Sequence, residues 1–131
     1  MRAQDWPERL AAYVESRRTV PFEYGSHDCC HFAGGAVDAI TGRNPMAAFH
    51  YRNQIGAERA IRKAGSLDAL VEQTLGKPMA VALARRGDVV IADLERGATV
   101  GICTGAEAVF ASEIGVTFRP MSSVRKAWRI E

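Results

Sequence analysis

Tyr24-Gly25-Ser26-His27-Asp28-Cys29-Cys30-His31-Phe32-Ala33-Gly34-Gly35-Ala36-Val37-Asp38-Ala39-Ile40-Thr41-Gly42 is the stretch on which the reading of the fold turns. Tyr24-Gly25-Ser26 reads as a turn. Ser26 or Asp28 can then accept a bond from a free helix N–H, so either is a candidate N-cap. Beyond Asp28 the apolar positions Cys30, Ala33, Ala36, Val37 and Ile40 recur at helical spacing. Gly42 sits where a left-handed C-cap belongs. Cys29 therefore opens a helix, where the positive end of the macrodipole favours thiolate, the form that attacks a carbonyl. A cysteine at a helix start is also ordinary core filler, so position alone leaves both roles open. Cys29 and Cys30 point about 100° apart on a helix, which places Cys29 outward and Cys30 inward. Gly34-Gly35 in mid-helix costs roughly 1 kcal/mol per glycine relative to Ala. That implies a close crossing, such as a sheet packed on the helix face.

Upstream, Asp5-Trp6-Pro7-Glu8 reads as a helix start with Asp5 and Glu8 as a capping box, and the helix spans 5–18. Trp6, Leu10, Tyr13 and Val14 form its apolar face. Downstream, residues 43–54 read as a loop broken at Pro45. In it Phe49 and Tyr51 either edge a cleft or tuck the loop onto the body. Gly56 to Ala64 and Leu67 to Leu75 read as two further helices, ended by Gly65 and Gly76, with Ser66 capping the second. Met79 to Leu83 is either a strand or a linker with one helical turn. From Asp88 onward the pattern becomes strands. Val89-Val90-Ile91-Ala92 suits a buried strand. Thr99 to Cys103, Ala108 to Ala111, Val116 to Arg119 and Lys126 to Ile130 follow, separated by Gly-containing turns and Pro120. Helices first and an antiparallel meander second make one α+β domain, with the helices on one side of the sheet.

Several of these blocks resemble the NlpC-type cysteine peptidases. Asp28-Cys29 after an aromatic-Gly turn is similar to their Asp-Cys-Ser-Gly helix start. Arg86-Gly87-Asp88-Val89-Val90 resembles their Pro-Gly-Asp-Leu strand opening. Thr99-Val100-Gly101-Ile102-Cys103-Thr104-Gly105 resembles their His-Val-Gly-Ile-Tyr-x-Gly strand. The blocks run in the family's order over most of residues 20 to 120. The small proteins encoded among tail genes of long-tailed phages share the Gly-x-x-Asp-Cys start, the Arg-Gly-Asp-Val-Val block and an aromatic-Trp-Arg end, here Ala127-Trp128-Arg129. The resemblance implies a papain-like fold, Cys29 at the nucleophile position and Thr99 across a cleft from it. It also implies a loss, because the family's base is a histidine where this chain has Thr99. The third polar position falls near Phe110 or Ala111. Acyl transfer by cysteine needs a group that takes the thiol proton and later protonates the leaving amine.

Three histidines remain, and His27 or His50 is the candidate surrogate base, while His31 lies about 200° around the helix from Cys29 and faces away. Tyr24, Asp28, Phe49 and Tyr51 are the candidate binding residues. Three cysteines, two of them adjacent, form no disulfide framework, and no zinc spacing is present, so no cofactor or metal is implied. A net charge of +2 without an aromatic-studded basic stripe gives no sign of nucleic acid. The N-terminus lacks the apolar run of a signal peptide, and no stretch reaches the ~20 apolar residues of a membrane span. The expected protein is made in the bacterial cytoplasm and assembled into a phage particle, with other tail proteins as partners and peptidoglycan as a further one. Two alternatives stand beside a structural tail component. One is a peptidase or amidase cutting peptidoglycan stem peptides, with its oxyanion held by the Cys29 N–H and the preceding turn. The other is a peptide- or glycan-binding module that cuts nothing.

Overall fold

The computed structural model describes residues 1–131. Four helices come first: α1 (Trp6–Arg17), α2 (Cys29–Thr41), α3 (Gln54–Ala64) and α4 (Leu67–Leu75). Five strands follow: β1 (Val89–Leu94), β2 (Gly97–Cys103), β3 (Glu107–Ser112), β4 (Gly115–Pro120) and β5 (Val124–Trp128). All pair antiparallel in the order β4-β3-β2-β1-β5, so the last strand returns to the free side of β1. With a neighbour on each side, Val89 to Ala92 are buried on both faces, as their unbroken apolar run requires. This is the expected α+β layout.

The helix caps follow local chemistry. Asn53 and Ser66 accept from the main-chain N–H groups of Gly56 and Ala69, opening α3 and α4. At α1 the capping box does not form. Asp5 makes no side-chain cap and instead pairs with Arg9 at 2.8 Å, one turn along. The segment left open at Met79 resolves into both alternatives: Met79 makes one bridge to Ala127, and Val81–Leu83 is a 3-10 turn.

The sheet separates two cores. On one face Phe32, Ala36 and Ile40 of α2, with Leu67, Leu70 and Val71 of α4, pack on Val89, Ile91, Val100, Ile102, Val109, Trp128 and Ile130. The Trp128 indole N–H also donates to the Gly76 carbonyl at 2.9 Å, which ties β5 to the end of α4. On the other face Val90, Ala92, Cys103, Ala108, Phe110, Val124 and Ala127 form a smaller cluster under Met79, Val81 and Met121. The close crossing at Gly34-Gly35 is not made by the sheet. A Cβ on Gly35 would sit 2.6 Å from the Tyr13 ring of α1, and one on Gly34 would sit 2.7 Å from the Met46 side chain. The glycines admit α1 and the 43–53 loop, not a strand. Tyr13 closes that contact by donating its hydroxyl to the Phe32 carbonyl at 2.9 Å.

The termini are held by one buried carboxylate. Asp88 is fully buried and accepts from the Arg2 guanidinium at 2.9 Å, the Arg85 N–H at 2.9 Å and the Ile130 N–H at 3.0 Å. The Arg-Gly-Asp block thus closes the domain rather than its cleft.

Candidate functional site

Asp28, not Ser26, caps α2. Its carboxylate accepts from the His31 N–H at 2.8 Å and the Gly25 N–H at 2.9 Å, so one side chain closes both the turn and the helix. Gly25 has φ +93°, and a Cβ there would lie 2.6 Å from the Tyr51 carbonyl, so only glycine lets the turn pass this close to the 43–53 loop. The His31 ring folds back and donates Nδ1–H to Asp28 at 3.0 Å. Burial pushes the Asp28 carboxyl up, but the hydrogen bonds from His31 and Gly25 outweigh it and hold the group below the ordinary carboxylate range.

Cys29 follows, partly exposed, while Cys30 points into the core. The adjacent Cys30 thiol lowers the Cys29 titration, burial opposes that, and the neighbouring Val100 main chain lowers it further. The balance holds the Cys29 thiol below the ordinary thiol range. The same pairing, with burial, pushes Cys30 well above it. One thiolate is favoured, and it is Cys29. Tyr51 stands over the pair. Its hydroxyl is pushed up by burial first and then by the negative groups beside it, Asp28 among them, so it stays protonated.

The thiol opens onto a slot of about 590 Å³ that the topology creates. β1 and β2 pair over six residues and β3 and β4 over six, but β2 and β3 pair only at Ile102–Val109 and Cys103–Ala108. Beyond that point the two hairpins part. Cys103 exchanges main-chain bonds with Gly87 and Asp88 on the β1 side, both at 2.8 Å. By alternation the main-chain groups of Ala98 and Val100 then point at β3. Glu107 accepts from Thr104 on the β2 side at 2.8 Å, so Ala111 likewise points at β2. No strand lies between them.

The same alternation decides where Thr99 faces. Val100 and Ile102 belong to the core under α2, whereas Ala92, which pairs with Thr99, belongs to the opposite one. Cys29 and Thr99 both line the slot, but from opposite faces of the sheet, and the Thr99 hydroxyl donates to the Gly97 carbonyl at 2.9 Å. The side chains of β2 that share a face with the thiol are Ala98 and Val100. At the third polar position Phe110 is buried in the far core and Ala111 lines the slot.

Neither surrogate base lines the slot. His27 is fully buried, its ring edge-on to Phe32, with Nε2–H donated to the Gly115 carbonyl at 2.7 Å and Nδ1 without a partner. It pins the β3–β4 turn to the loop before α2. His50 is exposed and lines a separate depression with Phe49 and Lys63. His31 belongs to Asp28 and rests edge-on against Tyr51 at 4.9 Å. Of the candidate binding residues, Tyr24, Asp28 and Tyr51 line the slot and Phe49 does not. Residues absent from the sequence reading line it too: Glu58, Ala98 and Ser112, and four charges at the rim. There Arg96 pairs with Glu113 at 2.7 Å and Arg119 with Glu95 at 2.9 Å, each pair joining one hairpin to the other. The Asp28–His31 contact was accessible from its i, i+3 spacing; the rim pairs had no local signal. No helix is long and apolar enough to cross a membrane.

The chain belongs to the family described as a domain of unknown function, DUF6950, whose model matches residues 1–130. No curated protein matches it.

Proposed function

We propose that this DUF6950 member is a structural component of a phage tail, at the tip or hub, built on an NlpC-type papain-like scaffold whose peptidase chemistry has been lost. The observation that carries the loss is that no imidazole lines the slot onto which Cys29 opens. A thiolate alone can be alkylated, but peptide cleavage also needs a proton donor for the leaving amine, and losing a general base typically costs 10²–10⁴-fold in rate. Thr99 supports the loss once, because its hydroxyl is committed to Gly97; its side chain on the far face departs from the placement the family alignment implies, across the cleft from Cys29, and counts against the NlpC-type scaffold. The papain-like scaffold is supported by the order of elements, a cysteine-led helix followed by an antiparallel meander. The tail assignment is supported by the likeness of the Asp28-Cys29, Arg86 to Val90 and Ala127 to Arg129 blocks to small tail-gene proteins. On this reading the protein is made in the bacterial cytoplasm and reaches the virion by assembly with other tail proteins.

A second reading, a cysteine peptidase or amidase acting on peptidoglycan stem peptides, is favoured by the lowered thiol of Cys29 at a cleft. The experiment that separates the two is digestion of purified sacculi followed by mass spectrometry of the soluble fragments. The structural reading expects the same fragment profile from the wild-type protein, Cys29→Ala and buffer. Fragments released by the wild type and absent with Cys29→Ala would refute it.

A further inference from the structure

The slot has a property that a degraded active site does not explain. Its two walls are main chain. Ala98 and Val100 on β2 and Ala111 on β3 direct peptide groups across it, unpaired with each other, between strands that are fully paired on their outer sides. Main-chain groups withdrawn from water need partners, and Val100, which is buried, has none on β3. Ser112 on the β3 wall keeps a buried hydroxyl with no partner at all.

We propose that the slot receives a short extended polypeptide segment of a partner protein, carrying a lysine or arginine, which pairs as a strand with both walls. The inference rests on the reading that the cleft does not cut what it holds. Strand addition uses main-chain hydrogen bonds for affinity and side-chain pockets for selection. The small side chains of Ala98, Ala111 and Ser112 leave the walls open to it. The slot closes where Ile102 pairs with Val109, so about four residues, ~13 Å at the rise of a strand, fit between there and the rim. The charge lining the slot is acidic. Arg96 and Arg119 are taken by Glu113 and Glu95, Asp28 has only His31, and Glu58 has no cationic partner. A cationic side chain on the guest meets that excess. The two rim pairs cross the entrance, and exposed pairs of this kind contribute only ~0.2–1 kcal/mol each, so they act as a weak latch.

The test uses the full chain and a pool of acetylated pentapeptide amides with lysine at the centre and Val, Thr, Ile or Tyr around it. The rate of Cys29 alkylation by iodoacetamide, located by mass spectrometry, reports occupancy because an inserted strand covers the thiol. At ~10 times Kd mass action leaves about one site in eleven open, so alkylation slows about tenfold. Methylating the peptide nitrogens of the second and fourth residues abolishes protection, and Glu58→Gln weakens the lysine pool but not a norleucine pool. Absence of protection at millimolar peptide overturns the proposal. So does equal protection by the methylated pool, or protection by chitotetraose alone, which assigns the slot to a glycan. Cleavage of the bound peptides lost on Cys29→Ala would overturn the non-hydrolytic reading while leaving strand insertion in place, so the two failures are distinguishable.

Discussion

Placing a histidine on either of two adjacent residues of β2 tests the geometry of the slot directly. Ala98 shares a face with Val100, which belongs to the core that Cys29 packs against, whereas Thr99 faces the opposite core. Ala98 lies two residues, ~6.6 Å, along the strand from Val100, so an imidazole on Ala98→His reaches within about 6 Å of the sulfur. At that distance and an effective dielectric of about 20, an imidazolium and a thiolate attract by roughly 2.8 kcal/mol, or about two pKa units. From Thr99→His the ring is ~10 Å away across the sheet. At the same dielectric the attraction is about 1.7 kcal/mol, roughly 1.2 units. The sign follows from linkage. A cation beside the thiolate lowers the Cys29 titration and raises that of the imidazole, which widens the pH window in which both are charged. Cys29 in the wild type already lies below the ordinary thiol range, so Ala98→His extends rapid alkylation further towards acid. The assay is the pH profile of iodoacetamide labelling at Cys29, measured by mass spectrometry for the wild type and both variants. A larger acid shift for Thr99→His than for Ala98→His would refute the face assignment.

Two further expectations concern the frame that holds the site. Asp88→Ala removes the acceptor from two main-chain N–H groups and the partner of Arg2, and it should cost about 3–5 kcal/mol in urea unfolding; Asp88→Asn, which keeps one oxygen, should cost clearly less, and equal losses would mean the carboxylate is not the hub. Gly35→Ala puts a methyl into the Tyr13 ring, so it should destabilise by about 1–3 kcal/mol despite the better helix propensity of alanine; a gain in stability would show that α1 does not seat on that glycine.

The secondary structure was legible wherever one period dominated. Cys30, Ala33, Val37 and Ile40 mark the buried face of α2, and the gaps at Gly65 and Gly76 separate the later helices, because caps and periodicity are local chemistry. Asp5 shows the limit: a good capping residue is lost when Arg9 offers a competing partner one turn on. Gly34-Gly35 announced a close approach without saying by what, since a missing Cβ records only the space it leaves. The slot was not legible at all. It exists because β2 and β3 stay paired for two residues and then diverge, and no residue between Gly97 and Ser112 encodes that divergence by itself. The face of Thr99 was hidden for the same reason. A strand alternates with period two, so assigning a motif one residue out of step moves its side chain through the sheet.

The retention of cysteine at the head of α2 has an explanation that involves no catalysis. Where β2 leaves β3, the buried Val100 N–H has no strand partner, and the neighbouring Cys29 sulfur is the acceptor it is expected to use. On this account what matters at position 29 is an acceptor, not a nucleophile. Cys29→Ser keeps an acceptor and should change stability little. Cys29→Ala leaves a buried donor unpaired, at about 1–3 kcal/mol, or a Tm loss of roughly 3–5 °C per kcal/mol for a chain of this size. An enzymatic role predicts a different order, with serine and alanine equally inactive and both near wild type in stability. The two variants can be compared by thermal unfolding and, in a phage that carries the protein, by particle assembly and infectivity. Serine that assembles and infects normally, beside alanine that melts early, assigns the residue to the frame of the slot. Serine that assembles normally but fails to infect returns Cys29 to chemistry.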